Sequence, residues 1–254
     1  MIINRSFQTL IVREIWRFLS LYKQTIMPGA ISSSLYIIIF GHALGTKIGD
    51  IGGVPYMHYI IPGLIMMSVV THAYQNSSSS IMQAKYLKFI EDYLIAPMSP
   101  MEICFGFIIG ATFRGLLNGI VVILISWVLT GFTVYSITIT LLYLIIVSWA
   151  FGAIGVIIGV CSKSWDHVGA FTNFVFMPLT MLGGVFWSID MLPSGWQLVT
   201  KVNPLYWMIN GLRYSTLQIT DVSIYASLFI CLFFAILFSS ISIYLVSIGY
   251  KIKS

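Results

Sequence analysis

The charged residues of this chain are so unevenly placed that five long stretches carry none: 24–46, 51–84, 115–162, 167–189 and 222–250. A helix crossing a bilayer core about 30 Å thick needs roughly 20 apolar residues, and each stretch is long enough. A charge at the centre of such a helix costs about 2.5–3.5 kcal/mol on insertion scales, so the charges that remain mark where spans end. The chain is therefore read as an integral membrane protein.

Composition narrows the class further. Only 8% of the residues are charged and 58% are hydrophobic, against roughly 25% charged in a soluble domain. The net charge of +5 would point to an anionic partner in a soluble protein. Here the thirteen basic residues are assigned to orientation and to contact with anionic lipid, and nucleic acid is not expected as a partner. Cys104, Cys161 and Cys231 are dispersed, with no CxxC pair and no His at ligand spacing, so buried, inert thiols are expected and no metal site. Arg5, Arg13, Glu14, Arg17 and Lys23 precede the first long apolar run. That order does not fit a cleaved signal peptide, so the first helix is expected to remain.

The chain reads as a single membrane domain, 1–254. Residues 5–23 place Phe7, Leu10, Ile11, Ile15, Phe18 and Leu19 at helical spacings with Arg13, Glu14 and Arg17 as polar residues, an amphipathic helix expected to lie on the membrane surface. Spans are predicted at about 25–44, 58–80, 101–130, 137–160, 170–189 and 222–248. Gly45–Tyr56 forms the first far-side turn, Gly131–Ser136 divides the longest run, and Cys161–Gly169 is a short loop. The second span ends in Gln75, Asn76 and Ser77–Ser80, polar enough that this end is expected to pack on protein or water. Residues 81–99 form a charged island with a partial apolar face, read as a short helix ending near Pro97 and Pro100. Residues 190–220 are half polar and broken by Pro193, Gly195, Pro204 and Gly211.

With both termini in the cytoplasm, Arg5, Arg13, Arg17, Lys23, Lys85, Lys88, Lys163, Lys251 and Lys253 lie inside, against Lys47, Lys201 and Arg213 outside. That bias satisfies the positive-inside rule. Arg114 is left near mid-membrane, about 18 Å of helical rise beyond Glu102. It is read either as a contact for an anionic substrate or as one member of an interior polar pairing with Gln75 or Asn76. A proton relay is disfavoured, because Glu102 sits too near the interface. His58 and His72, fourteen residues apart, fall roughly on one helix face and are read as structural.

The chain has no G-x-x-x-x-G-K-[ST] and no Gly-Lys dipeptide, so it forms no Walker phosphate loop. H-E-x-x-H, C-x-x-C and G-x-S-x-G are equally missing. Repeats of 20–50 residues are not evident, which counts against carriers built from paired repeats. A self-contained secondary transporter or channel stays as the alternative. A lipid-acting membrane enzyme is a third class, for which Asp166–His167 is the one adjacent acid–histidine pair.

Phe176–Arg213, FMPLTMLGGVFWSIDMLPSGWQLVTKVNPLYWMINGLR, resembles the ABC-2 type transport permeases. The ordered matches are Phe176, Pro178, Leu179, Leu182, Gly183, Gly184, Phe186, Trp187 and Ser188, then Leu192, Pro193, Trp196 and Gln197, then Asn203, Pro204, Leu205 and Arg213. Pro62-Gly63-Leu64-Ile65 and Ile90–Pro97 are similar to further elements of that family. The resemblance implies an all-α integral membrane fold: six transmembrane helices, an N-terminal interfacial helix, a cytoplasmic coupling helix at Gln83–Ala96, and a re-entrant helix pair at about Leu192–Gln218. It implies a non-catalytic export permease of drug or nodulation-exporter type in a bacterial cytoplasmic membrane. Two permeases, in a homodimer, would work with two ATPase subunits that hold the ATP and magnesium, this chain binding no cofactor. Tyr86, Phe89, Ile90, Glu91, Asp92 and Pro97 would couple to the ATPase. Pro178, Gly183, Gly184, Pro193, Pro204 and Arg213 would be structural. The route for an amphiphilic, drug-like or glycan substrate would run past Tyr74, Gln75, Arg114, Phe171 and Phe174, with Gly63, Met66, Met67, Ser68 and Phe176 as further lining.

Overall fold

The structure is a computed structural model that describes residues 5–43 and 45–250. The expected charges Lys251 and Lys253 and the span end at Leu44 lie outside the described residues. Helix α1 (Arg5–Ser20) and the short α2 (Tyr22–Thr25) lead into α3 (Met27–Ala43). One turn, α4 (Gly45–Ile48), precedes a two-residue hairpin, β1 (Asp50–Ile51) with β2 (Val54–Pro55). Gly52 and Gly53, at φ +59° and +80°, supply the left-handed conformations that a tight hairpin turn needs.

At the centre stands α5 (Tyr56–Tyr86), buried on all sides along most of its 31 residues. Helices α7 (Pro100–Thr130) and α8 (Ile137–Cys161) enclose it, with α3 and α12 (Pro204–Leu217) completing the shell. The last long helix, α13 (Ile224–Ser247), packs on α8 and α12. Serine and asparagine face the interior: Asn76, Ser77, Ser78 and Ser80 are buried, so the polar end of the second span packs on protein. Ser77 donates to the Gly152 carbonyl at 2.7 Å and Ser78 to the Tyr74 carbonyl at 2.8 Å, which removes the desolvation cost of their hydroxyls.

Helices inside a bilayer gain little from burying apolar surface against each other, so close approach decides which ones pack. Here α8 offers Gly152, Gly155 and Gly159 to α5 and α7. A Cβ at Gly155 would run into Ser77 Oγ and the Tyr74 carbonyl, and one at Gly159 would lie 3.2 Å from Ser78 Cα. The start of α7 is set by a capping box, in which Ser99 Oγ accepts from the Glu102 N–H and Glu102 Oε2 accepts from the Ser99 N–H, with Pro100 at the first helical position.

Among the described residues, four helical segments are long and apolar enough to cross a membrane: 22–41, α7, α8 and α13. The two other expected spans differ from their predicted form. The second is the central α5, which continues past residue 80 to Tyr86 and takes the first part of the charged island with it. The island is thus not one helix over 81–99. The chain turns at Lys88, with φ +61°, and only α6 (Ile90–Ile95) remains as a separate helix. The fifth begins earlier and ends sooner than 170–189: α9 (Trp165–Phe171), a π turn at Thr172–Phe176 and α10 (Met177–Leu182) run on as one rod. Pro178 has no N–H for the helical ladder, and the widened turn before it absorbs the mismatch. Gly184, at φ +80°, stops the rod. A 3-10 turn (Ile189–Met191) and α11 (Ser194–Val202) then lead to α12.

Gly155→Ala is expected to lower stability by about 1–3 kcal/mol, because the methyl group has only backbone and Ser77 to displace. Gly169→Ala, on the exposed face of α9 with nothing within 4 Å, should be neutral or slightly stabilising. Thermal unfolding of the two variants in detergent checks the difference, and equal midpoints would contradict a Gly155 contact of this closeness.

Candidate functional site

Two adjoining cavities follow α5. The first, about 730 Å³, is lined by Arg17, Gln24, Gln75, Ser79, Gln83, Arg114 and, at the α6 end, by Tyr86, Leu87 and Trp165. The second, about 260 Å³, continues towards the hairpin between α3 and α5, past Pro28, Ser32, Tyr36, Leu64, Met67 and His72. Gln24 and Gln75 line both. Together they form a cleft running along α5 from Leu87 to Leu64, about 35 Å at helical rise.

Arg114 is 5% exposed and sits on this cleft. Its Nη2 stands 3.5 Å from Nδ1 of His72. A guanidinium has no lone pair to offer, so Nδ1 is the acceptor in this long contact. Gln75 and Asn76 do not pair with Arg114: Gln75 lines the cavities, and Asn76 is engaged elsewhere. His58 and His72 are not brought together, since His58 Nε2 lies 3.1 Å from the Thr130 carbonyl. Among the described residues no group of His, Cys, Asp and Glu is arranged to hold a metal ion.

Asn76 belongs to a clamp that fixes α1. Arg17 Nη2 donates to the Asn76 carbonyl at 2.8 Å, to Asn76 Oδ1 at 3.1 Å and to Glu14 Oε2 at 3.1 Å. Ser80 donates to Glu14 Oε1 at 2.7 Å. Glu14 is fully buried and lies over Gly110 of α7, with Leu10 over Gly106 one turn earlier. This corrects the reading of α1 as a helix whose polar residues face water: its carboxylate faces the bundle, because Gly106 and Gly110 open a groove and α5 supplies donors. Glu14 was missed as a candidate site. The signal was available in the i, i+3, i+4 stripe of Asn76, Ser79 and Ser80, which matches Glu14 and Arg17 at i, i+3.

Of the expected lining, Met67 and Ser68 reach the smaller cavity. Tyr74 does not reach the cleft; it is fully buried and donates from its hydroxyl to the Val168 carbonyl at 3.0 Å. Phe171 stacks on Tyr74 and meets Phe176 edge to face. Phe174 points outward at 82% exposure, Met66 and Phe176 are core residues, and Gly63 packs against Val185.

At the α6 end, Tyr86, Phe89 and Ile95 are 77, 48 and 82% exposed, and Glu91, Asp92 and Pro97 are also exposed. The result is an aromatic and aliphatic knob rimmed by two carboxylates. Ile90 is the exception in the expected docking set, because it turns inward with Tyr93 against Ile103 and Phe107. Tyr93 also lies under the Arg13 guanidinium, 5.4 Å from its centroid, which ties α6 to α1.

At the opposite end, the segment 178–213 closes as one knot. Arg213, 1% exposed, donates from Nη2 to the Gly184 carbonyl at 2.7 Å and from Nη1 to Asn210 Oδ1 at 3.3 Å. Its guanidinium lies 4.0 Å above the Tyr59 ring. Arg213, counted by sequence among the outer charges, is therefore a buried tie. Asn203 caps α12 through Oδ1 and reaches the Leu179 carbonyl with Nδ2, and Pro204 takes the first helical position. Pro193 opens α11, and Gln197 donates to the Leu192 carbonyl at 2.9 Å. Asp221, just beyond α12, has its carboxyl pushed up by desolvation, an effect that Arg213 opposes.

A family model described as "ABC-2 type transporter" matches residues 5–217. The "Inner membrane transport permease YadH" of Escherichia coli K12 is 40% identical over 242 residues, covering 95% of this chain and 94% of the relative. "Nodulation protein J" of Neorhizobium galegae is 21% identical over 236 residues, covering 88% of each chain. The protein of the same name from Rhizobium leguminosarum bv. trifolii is 23% identical over 181 residues, covering 70% of this chain and 69% of the relative.

Removing the Glu14 carboxylate leaves Ser80 without its acceptor and Arg17 without its counter-charge. Glu14→Ala is expected to cost about 1–3 kcal/mol, and adding Arg17→Leu should recover part of that loss. A double-mutant cycle on thermal midpoints reads the coupling, and strict additivity would contradict the clamp.

Proposed function

The chain belongs to the ABC-2 type transporter family, and on that premise we propose that it is the permease subunit of an ATP-driven exporter in a bacterial cytoplasmic membrane. In this reading it crosses the membrane six times, the crossings being α2–α3, α5, α7, α8, the α9–α10 rod and α13. Both termini and α6 face the cytoplasm. Helices α11 and α12 form the re-entrant pair on the outer side, held by the Arg213 knot. Two copies form the membrane pathway in contact with lipid. A separate ATPase subunit binds ATP and magnesium, a reading supported by the lack of a phosphate loop in this sequence.

The observation that carries the coupling is the exposed knob on α6 and its neighbour Tyr86. An apolar group with Phe89 and Ile95 at its centre and Glu91 and Asp92 at its rim has the anatomy of a protein contact. A push on α6 has a stiff path inward. Tyr93 bears on Phe107 of α7 and on Arg13 of α1, and the Glu14–Arg17 clamp joins α1 to α5 beside the cleft. ATP-driven closure of the ATPases would reach the cleft by that route. The cargo in this reading is amphiphilic, drug-like or glycan.

Tagged chain drawn from mild-detergent membranes should bring down a stoichiometric protein with a Walker phosphate loop and ATPase activity. The variant carrying Phe89→Ala and Glu91→Lys should lose that partner at least tenfold while its own thermal midpoint is unchanged, since neither side chain supports the core. Recovery of the chain alone under all detergent conditions would favour a channel or an ion-driven carrier.

A further inference from the structure

A guanidinium held within a membrane bundle ends against a carboxylate, a carbonyl or an aromatic face when the fold itself satisfies it. Arg114 has none of these in hydrogen-bond or stacking contact among the described residues. Its charge meets only the neutral nitrogen of His72 at 3.5 Å, and its Nε is buried without a partner. The same cavity wall carries Arg17, whose charge is already matched by Glu14. Arg17 and Arg114 line one cavity, so their like charges oppose each other across it. Among the described residues no carboxylate lines either cavity. The wall is otherwise neutral and polar, with Gln75, Gln83, Ser79 and Thr172, whose amides and hydroxyls both donate and accept. Towards the hairpin the lining changes to Pro28, Tyr36, Leu64 and Met67, with serines on α3.

We infer that this cleft binds an anionic amphiphile, its phosphate or carboxylate headgroup on Arg114 and its hydrocarbon along Tyr36, Leu64 and Met67. An anion there supplies the missing counter-charge in a site of low dielectric, where charge-assisted hydrogen bonds are strongest. With Arg17 already matched by Glu14, Arg114 leaves one uncompensated positive charge on the cleft, which discriminates against cationic headgroups. A cleft of about 35 Å, from helical rise over Leu87 to Leu64, accommodates a chain as well as a headgroup. The assignment of this amphiphile as cargo rests on the exporter reading; its binding does not.

The test uses the full chain in dodecyl maltoside, with dodecyl phosphate, dodecyltrimethylammonium and inorganic phosphate as probes. At a hundredfold excess over the dissociation constant, dodecyl phosphate is expected to raise the thermal midpoint by roughly 5–10 °C. Dodecyltrimethylammonium should give no rise. Arg114→Gln should keep less than a third of the response and Arg114→Lys more than half. Gln75→Glu places a carboxylate on the cavity wall as a built-in counter-ion, so it should raise the midpoint without ligand and abolish the response. It also decides the matter if Arg114→Gln fails to fold. An equal response to dodecyl phosphate in wild type and Gln75→Glu, or in wild type and a folded Arg114→Gln, would overturn the inference. So would an equal response to the cationic amphiphile. A full response to inorganic phosphate would overturn the amphiphile and leave a free anion. Co-purification of the ATPase without anion binding defeats this inference alone, whereas anion binding without any ATPase defeats the exporter reading alone.

Discussion

The close approach of α5 to the glycine faces of α7 and α8 is the constraint on which the other features rest. A central helix with serine, asparagine and glutamine over two turns is unsuited to lipid. It becomes stable only where neighbouring backbones come near enough to accept its hydroxyls, as the Gly152 carbonyl does for Ser77. Glycines at 152, 155 and 159 permit that distance. The polar end of α5 then serves two sides at once, facing α8 with Ser77 and Ser78 and facing α1 with Asn76, Ser79 and Ser80. A bulkier α8 would push α5 outward and separate the clamp, the cleft and α6 together.

The parts of the fold that were legible in the sequence were those set by hydrophobic length and by local punctuation. Helices α3, α7, α8 and α13 lie close to the charge-free runs, and Asn203-Pro204 and Pro193 divide the outer segment where their backbone chemistry requires. Two kinds of feature escaped. Helix continuity between Ser80 and Tyr86 has no marker, because good helix formers such as Gln83, Ala84 and Lys85 read equally as a span's end or an island's start. The burial of Glu14 escaped because amphipathicity treats every charge as water-seeking, while a carboxylate that finds a serine hydroxyl and a guanidinium loses little by leaving water. Tyr74 is the converse case: an aromatic on an interior helix reads as lining, and its hydroxyl instead ties α5 to α9.

The same lesson applies to the candidate site. The motif residues from Pro178 to Arg213 were recognisable as a set, but their joint purpose was not, since it depends on Arg213 reaching back 29 residues to Gly184 and across to Tyr59. That tie explains why Gly184 is a glycine. Its left-handed turn presents the carbonyl to the guanidinium, and the adjoining Val185 packs on Gly63 of α5. The small residues at 63 and 184 are thereby parts of one joint between the central helix and the α11–α12 pair.

Three arginines within or beside the bundle show how differently a buried charge is settled. Arg213 is settled by a carbonyl, an amide oxygen and the face of Tyr59. Arg17 is settled by Glu14 and by the backbone and side chain of Asn76. Both belong to joints between helices, where a fixed partner holds geometry. Among the described residues Arg114 has neither carbonyl nor carboxylate; His72 stands 3.5 Å away and Gln75 and Ser79 line the same cavity, all of them neutral. A folded joint gains from a permanent partner; a binding site loses by one, because an internal counter-ion competes with the ligand for the same charge. The uneven treatment of chemically identical groups separates the two arginines that hold the structure together from the one that faces the cleft.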